Sequence, residues 1–151
     1  MDILKIYKKS IGFPLGRQFF NFAIGFRAPF FGKIKPNIVE MKPGLCVVKM
    51  NDRRSVRNHI GTINAGAMCT LTELTAGLAV DSAIPKNLRW LPRGMSVAYL
   101  KKGKGVLTAT CQIDKNKIKT GDVLIPLEIK DNKNDTVLTA EITFYISERK
   151  T

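Results

Sequence analysis

The chain has 151 residues, 44% of them hydrophobic, and 25 Lys plus Arg against 12 Asp plus Glu, a formal charge of +13. That length fits one domain able to bury a core without staples; three widely spaced cysteines, Cys46, Cys69 and Cys111, with no Cys-x-x-Cys pair or Cys/His cluster, argue against a disulfide framework or a metal site. The cations fall in small separate groups with no RNP, helix-turn-helix or zinc-finger pattern, so specific nucleic-acid recognition is not expected.

Residues 2–11 carry Ile3, Ile6, Tyr7 and Ile11 at helical spacing, and Gly12, Pro14 and Gly16 interrupt them. A second helix from about 15 to 26 places Leu15, Phe19, Phe22 and Phe26 on one face. Seven of the eight Phe lie between Phe13 and Phe31. The expectation is that this stretch covers the core or the mouth of an apolar pocket, in preference to a membrane surface. Two strands follow, near 34–41 and 44–51, joined by the turn signal Pro43-Gly44. After a basic connection from Arg53 to Arg57 comes one long helix from about Asn64 to Ser82, closed by Pro85. The remainder is strand-rich. Residues 106–113 and 136–147 alternate with period two, as half-buried antiparallel strands do, and segments 94–100 and 122–130 complete the set. Pro126 calls for a bulge or an edge position. Small residues on the long helix, among them Ala76, Gly77 and Ala79, permit a sheet of about six strands to close over it.

No run reads as a transmembrane helix or a signal peptide, and the unpaired thiols suit a reducing, cytoplasmic compartment. The expected architecture is a single α+β domain over 1–151, with an N-terminal helical extension over 1–32 and a sheet-and-helix core over 33–151.

Glu73 is the only charged side chain between Ile60 and Val80. An ionised carboxylate is costly to bury without partners. It is either a residue on a narrow solvent-facing stripe or a carboxylate kept for chemistry. Before it runs Asn58-His59-Ile60-Gly61-Thr62-Ile63-Asn64-Ala65-Gly66.

This turn, the helix behind it and the strand GMSVAYLKK resemble the hotdog-fold acyl-CoA thioesterases of the phenylacetate-pathway type. The chain is more similar still to an uncharacterised branch of that superfamily with an extra N-terminal helical segment. The family pattern is Asn, then Gly, then His-Gly-Gly opening the helix, then an acid about two turns in. Asn58, Gly61, Gly66 and Glu73 fall on those positions, while Asn64 replaces the His and Ala65 the first Gly. The resemblance implies a hotdog fold, an antiparallel sheet of about six strands wrapped around the long helix. It implies that the Gly66 amide polarises the thioester carbonyl, that Glu73 acts as general base or nucleophile, and that Asn58 and Asn64 assist, with His59, Gly61, Thr62 and Ala65 around the substrate. Ser96 is a candidate for the family's auxiliary hydroxyl. It further implies that Glu73 reaches the site from a neighbouring protomer, in a homodimer or dimer of dimers. Coenzyme A enters as part of the substrate, with no separate cofactor.

Two alternatives stay open on the same fold. One is a non-catalytic acyl-CoA or lipid binder, suggested by Asn64, Ala65 and the aromatic N-terminus. The other is a dehydratase-like enzyme using His59 and Glu73, fourteen residues apart. A protein acting on nucleic acid or a membrane surface through its +13 charge is a third class, with the dispersed cations against it.

Overall fold

The computed structural model describes residues 2–149; Met1, Lys150 and Thr151, the ends of the expected domain, lie outside the described residues. Three helices come first: α1 (Ile3–Ile11), α2 (Gly16–Arg27) and the single turn α3 (Pro29–Gly32). Strands β1 (Asn37–Lys42) and β2 (Leu45–Met50) follow, then the long helix α4 (Ala65–Asp81). Strands β3 (Leu88–Tyr99), β4 (Leu107–Gln112), β5 (Gly121–Lys130) and β6 (Thr136–Glu148) complete the chain. The six strands form one antiparallel sheet in the order β1-β2-β4-β5-β6-β3. This is the hotdog fold, with α4 held on the inner face of the sheet.

Local chemistry sets the elements. Asn64 caps α4 with its side chain, and Ser82 closes it. At the Pro43-Gly44 turn Gly44 has φ +79, and a Cβ there would lie 2.5 Å from the carbonyl oxygen of Ile113. Only glycine fits both conditions. Alternation in the strands sends Val48, Leu107, Ile125, Ile142 and Phe144 inward, all buried. Phe144 meets Trp90 edge-on at 5.1 Å, and truncating such a buried ring costs about 3–5 kcal/mol. Pro126 sits in β5 just past the point where pairing with β4 stops, at Thr110 opposite Glu128, so its missing N–H faces a local edge.

The sheet's two edges differ. Along β1 the N-terminal layer closes the edge: Asn21 accepts from the Ile38 amide at 3.0 Å and donates to Asn37 at 2.9 Å. Tyr7 packs against Phe20 at 5.1 Å and donates to the Val39 carbonyl. Strand β3 has no neighbour on its outer side among the described residues. It also starts earlier than the expected 94–100. Pro92 is tolerable on an edge, and the register slips at Arg93, between Pro92 and Gly94. The bulge moves the inward row from Leu88, Trp90 and Pro92 to Met95, Val97 and Tyr99, all but Leu88 lying opposite a buried residue of β6. Of that row only Leu88 is buried.

The Phe-rich start departs from expectation. Phe19, Phe22 and Phe26 do share one face of α2, with Leu15 just before it as the N-cap, but all four are exposed. Among the described residues of this stretch only Phe20 is a fully buried Phe, with Phe31 partly packed on the core. Helical spacing reveals which side chains lie together and not which side finds a partner.

Candidate active site

The turn before α4 is built by Asn58. Its side-chain oxygen accepts from the amides of Ile60 (3.1 Å) and Thr62 (3.0 Å), and its Nδ2 donates to Thr62 Oγ1 at 2.9 Å. Gly61 takes φ +76 at the tip. Asn58 therefore spends its side-chain carbonyl on the loop that leads into the helix. The turn is tied down on both sides. The Asn64 amide donates to the Val56 carbonyl at 2.8 Å and the Ile63 amide to the Gly103 carbonyl at 2.9 Å. Asp52 receives Arg57 Nε at 2.6 Å and the Gly105 amide at 3.0 Å, and the Arg57 guanidinium is the main cause holding its carboxyl below the ordinary range.

The N-terminal turn of α4 opens into a cleft of about 370 Å³, lined by Phe30, Lys33, Arg57, Asn64, Gly66 and Thr70 among others. Asn64 Oδ1 accepts from the Gly66 amide at 2.7 Å. Thr70 Oγ1 donates to the Gly66 carbonyl at 2.8 Å. The amides of Ala65 and Ala67 have no acceptor among the described residues. A helix N-terminus with unmet amides favours developing negative charge, and Lys33 and Arg57 add cations at the rim.

Helix α4 is buried except at its exposed last residue, Asp81, and along a strip holding Ala65, Gly66, Ala67, Cys69 and Glu73. Glu73 is half-buried and makes no hydrogen bond or ion pair among the described residues. The strip runs beside the open strand. Cys69 Sγ lies 3.0 Å from the Tyr99 hydroxyl, and that hydrogen bond is the first cause raising the Tyr99 phenol above its ordinary range. Farther along, Gly77 receives the Trp90 ring, which a Cβ would meet at 3.0 Å.

Of the residues expected from sequence, Asn64, Gly66 and, through the supporting turn, Asn58, Gly61 and buried Thr62 come together at one end of α4. Ala65 is exposed at the same end. His59 is exposed and makes no hydrogen bond among the described residues. Glu73 does not line the cleft of its own chain. Ser96 pairs with Glu141 and lies on the outer face of the sheet, away from α4, which removes it as an auxiliary hydroxyl in this chain's cleft. Sequence reasoning missed Thr70, Phe30, Lys33 and Arg57. Thr70 was findable, one helical turn beyond Gly66; Phe30 and Lys33 arrive from a distant segment and carry no local signal.

Residues 16–146 match the family described as Domain of unknown function (DUF4442). No curated protein matches significantly. Among solved structures, the structural-genomics protein APC5556 is 36% identical, with a TM-score of 0.87 over 97% of this chain and 99% of its own. A Pseudomonas aeruginosa protein of unknown function, named a probable thioesterase, is 18% identical, with a TM-score of 0.77 over 83% of this chain and 91% of its own. A hypothetical thioesterase from Streptococcus pneumoniae is 25% identical, with a TM-score of 0.67 over 76% and 92%. On its sequence match and its architecture, this chain belongs to the DUF4442 family and has the hotdog fold.

Proposed function

We propose that the protein is a thioesterase that hydrolyses acyl-CoA or a related acyl thioester as a homodimer or dimer of dimers. One observation carries the reading: an open strip of α4 holds amides at a cleft at its start and an unpaired carboxylate seven residues on. The names of solved structures of the same fold support it, one of them at 25% identity.

In the reaction, the thioester carbonyl oxygen approaches the first turn of α4 and takes the Gly66 amide from Asn64 Oδ1. Water adds to the carbonyl carbon and gives its proton to the Glu73 carboxylate. The oxyanion formed is stabilised by the helix amides, an effect worth a few kcal/mol per donor. Collapse breaks the carbon–sulfur bond, and Glu73 returns the proton to the departing thiolate. The products are a carboxylic acid and free thiol. Lys33 and Arg57 suit the phosphates of a CoA leaving group.

Seven residues of helix rise about 10.5 Å, too far for Glu73 to serve a carbonyl held at Gly66 of the same chain. The bare edge of β3, with Met95 and Tyr99 uncovered beside the strip, suits a second copy related by a two-fold axis. That copy brings Glu73 of the partner subunit toward the cleft.

A free-thiol assay over acyl-CoA substrates of graded chain length tests the reading. Glu73→Ala is expected to lower the rate by about a hundredfold or more; equal rates in variant and native protein remove Glu73 from the mechanism. The second reading, a non-catalytic acyl-thioester binder, is favoured by the Asn64 cap on the Gly66 amide. Saturable acyl-CoA binding with no thiol release from the native protein would select it.

A further inference from the structure

We propose that the N-terminal helical layer is a docking surface for an anionic lipid bilayer, a binding function separate from the thioester site and standing whether or not that site hydrolyses thioesters. Phe13, Leu15, Phe19, Phe22, Phe26 and Phe30 all expose their side chains, from 64% for Phe13 to 79% for Phe26. At 100° per residue, Phe19, Phe22 and Phe26 fall within about 60° of one another on α2, and Leu15 precedes them at its N-cap. Phe20, on another side of the helix, is buried against Tyr7. One face of α2 thus holds the helix to the protein and another presents bare aromatic rings to the outside. Monomeric soluble surfaces rarely carry such a contiguous apolar patch without a use.

The backbone holds this patch in place. Leu15 sits at φ 59, a region leucine disfavours, while its side chain stays 73% exposed. Gly25 and Gly32 bring α2 and α3 into backbone contact, since a Cβ on Gly32 would lie 2.9 Å from the Gly25 carbonyl oxygen. The two helices therefore pack together as one ridge. Two apolar grooves run along it, of about 640 and 480 Å³, with Lys33 and Lys35 on one and Lys9 on the other.

Charge selects the occupant. Residues 1–36 hold seven Lys and Arg and one acid, Asp2. All seven cations are exposed, and none forms an ion pair among the described residues. A second copy placed on this face would set cation against cation. Anionic headgroups over a hydrocarbon layer satisfy both parts at once, the rings entering the acyl boundary and the lysines meeting phosphate. Nucleic acid would meet the cations and leave the rings unburied. Phe30 and Lys33 also line the cleft at Gly66, so the docking face and the mouth of that cleft are continuous.

Co-sedimentation of the full chain with vesicles of phosphatidylcholine, alone or with about one-third phosphatidylglycerol, tests the proposal. Binding is expected to the anionic vesicles only. Phe22→Ser with Phe26→Ser, and separately Lys9→Glu with Lys35→Glu, are each expected to weaken it about tenfold or more. Leu124→Ser, an exposed apolar site elsewhere, is expected to change nothing. Both Phe positions are solvent-exposed, so an unchanged thermal unfolding midpoint certifies the fold. The proposal is overturned by no vesicle binding of native protein, by undiminished binding of the double Phe variant, or by a loss of self-association in that variant, which would make the ridge a contact between copies. Duplex DNA binding equal to vesicle binding and indifferent to the Phe changes would also overturn it, by showing that charge alone is at work.

Discussion

Asn64 Oδ1 accepts the Gly66 amide hydrogen at 2.7 Å, so the helix cap occupies the donor that the proposed reaction offers to the thioester carbonyl. The cap stabilises the helix and competes with the substrate. Asn64→Ala removes both effects. It is expected to cost about 1 kcal/mol of stability and, by lifting a competitor of similar strength, to raise kcat/KM about fivefold. Thermal unfolding and thiol-release kinetics on the same preparation check the two halves. A tenfold fall in kcat/KM would mean that the Asn64 side chain turns round and acts on the substrate itself.

The separation of Gly66 and Glu73 along α4 makes a stoichiometric prediction. Gly66→Val sets a branched side chain where the carbonyl approaches in the proposed reaction, and Glu73→Gln removes the proposed base. Each homodimer is expected to be inactive. In a shared site, a mixed dimer carries both changes in one site and neither in the other. Random reassociation of equal amounts is then expected to restore about a quarter of native activity, since half the dimers are mixed and each has one sound site. A mixture as inactive as its parents would assign both residues to one chain.

The sequence made α4 legible almost to the residue because its ends are chemical. Asn64 is a side-chain cap and Pro85 forbids a longer run. Strands β4, β5 and β6 were legible for a different reason, since β4 and β5 keep one alternation from end to end and β6 keeps it from Leu138 onward, past a single slip at Val137. Strand β3 does not. Its bulge at Arg93 switches the inward row from even to odd positions, so neither half extends far enough to read as one strand. The candidate site was legible in its residue types but not in its hydrogen bonds. Asn64 reads as a cap from sequence, yet only coordinates show the cap consuming the Gly66 donor. The resemblance gives Asn58 an assisting role, and the structure adds that its side-chain carbonyl accepts from the Ile60 and Thr62 amides. The exposed Phe row was misread because periodicity is indifferent to which face is covered.

Met95 and Tyr99 tell whether β3 is the subunit seam. Both face inward by register yet remain uncovered, Met95 at 40% exposure. Met95→Asp adds a charge to the row that a partner strand would bury. The variant is expected to sediment as a monomer with a nearly unchanged melting temperature and to lose thiol-release activity together with the partner's Glu73. Retention of the native oligomer would move the seam off β3.

Asp52 sets the acid limit of the cleft. Its carboxyl, held below its ordinary value of 3.8 first by Arg57 and further by the Gly105 amide, ties the loop before α4 to the loop between β3 and β4. A group whose folded value is depressed contributes stability that is present above the unfolded value and is lost as pH falls through the folded one. The contribution is therefore complete above about pH 5 and fades below about pH 4. The Arg57 partner is nearly half exposed, which screens the pair and keeps the effect modest. Asp52→Asn is expected to melt a few degrees below native protein at pH 7, because the amide leaves Arg57 without its anion, and the gap is expected to close as pH falls below 4. Melting curves across pH 3 to 8 read this directly. A gap that persists unchanged at pH 3 would mean that the loop is held by shape rather than by the Asp52 charge.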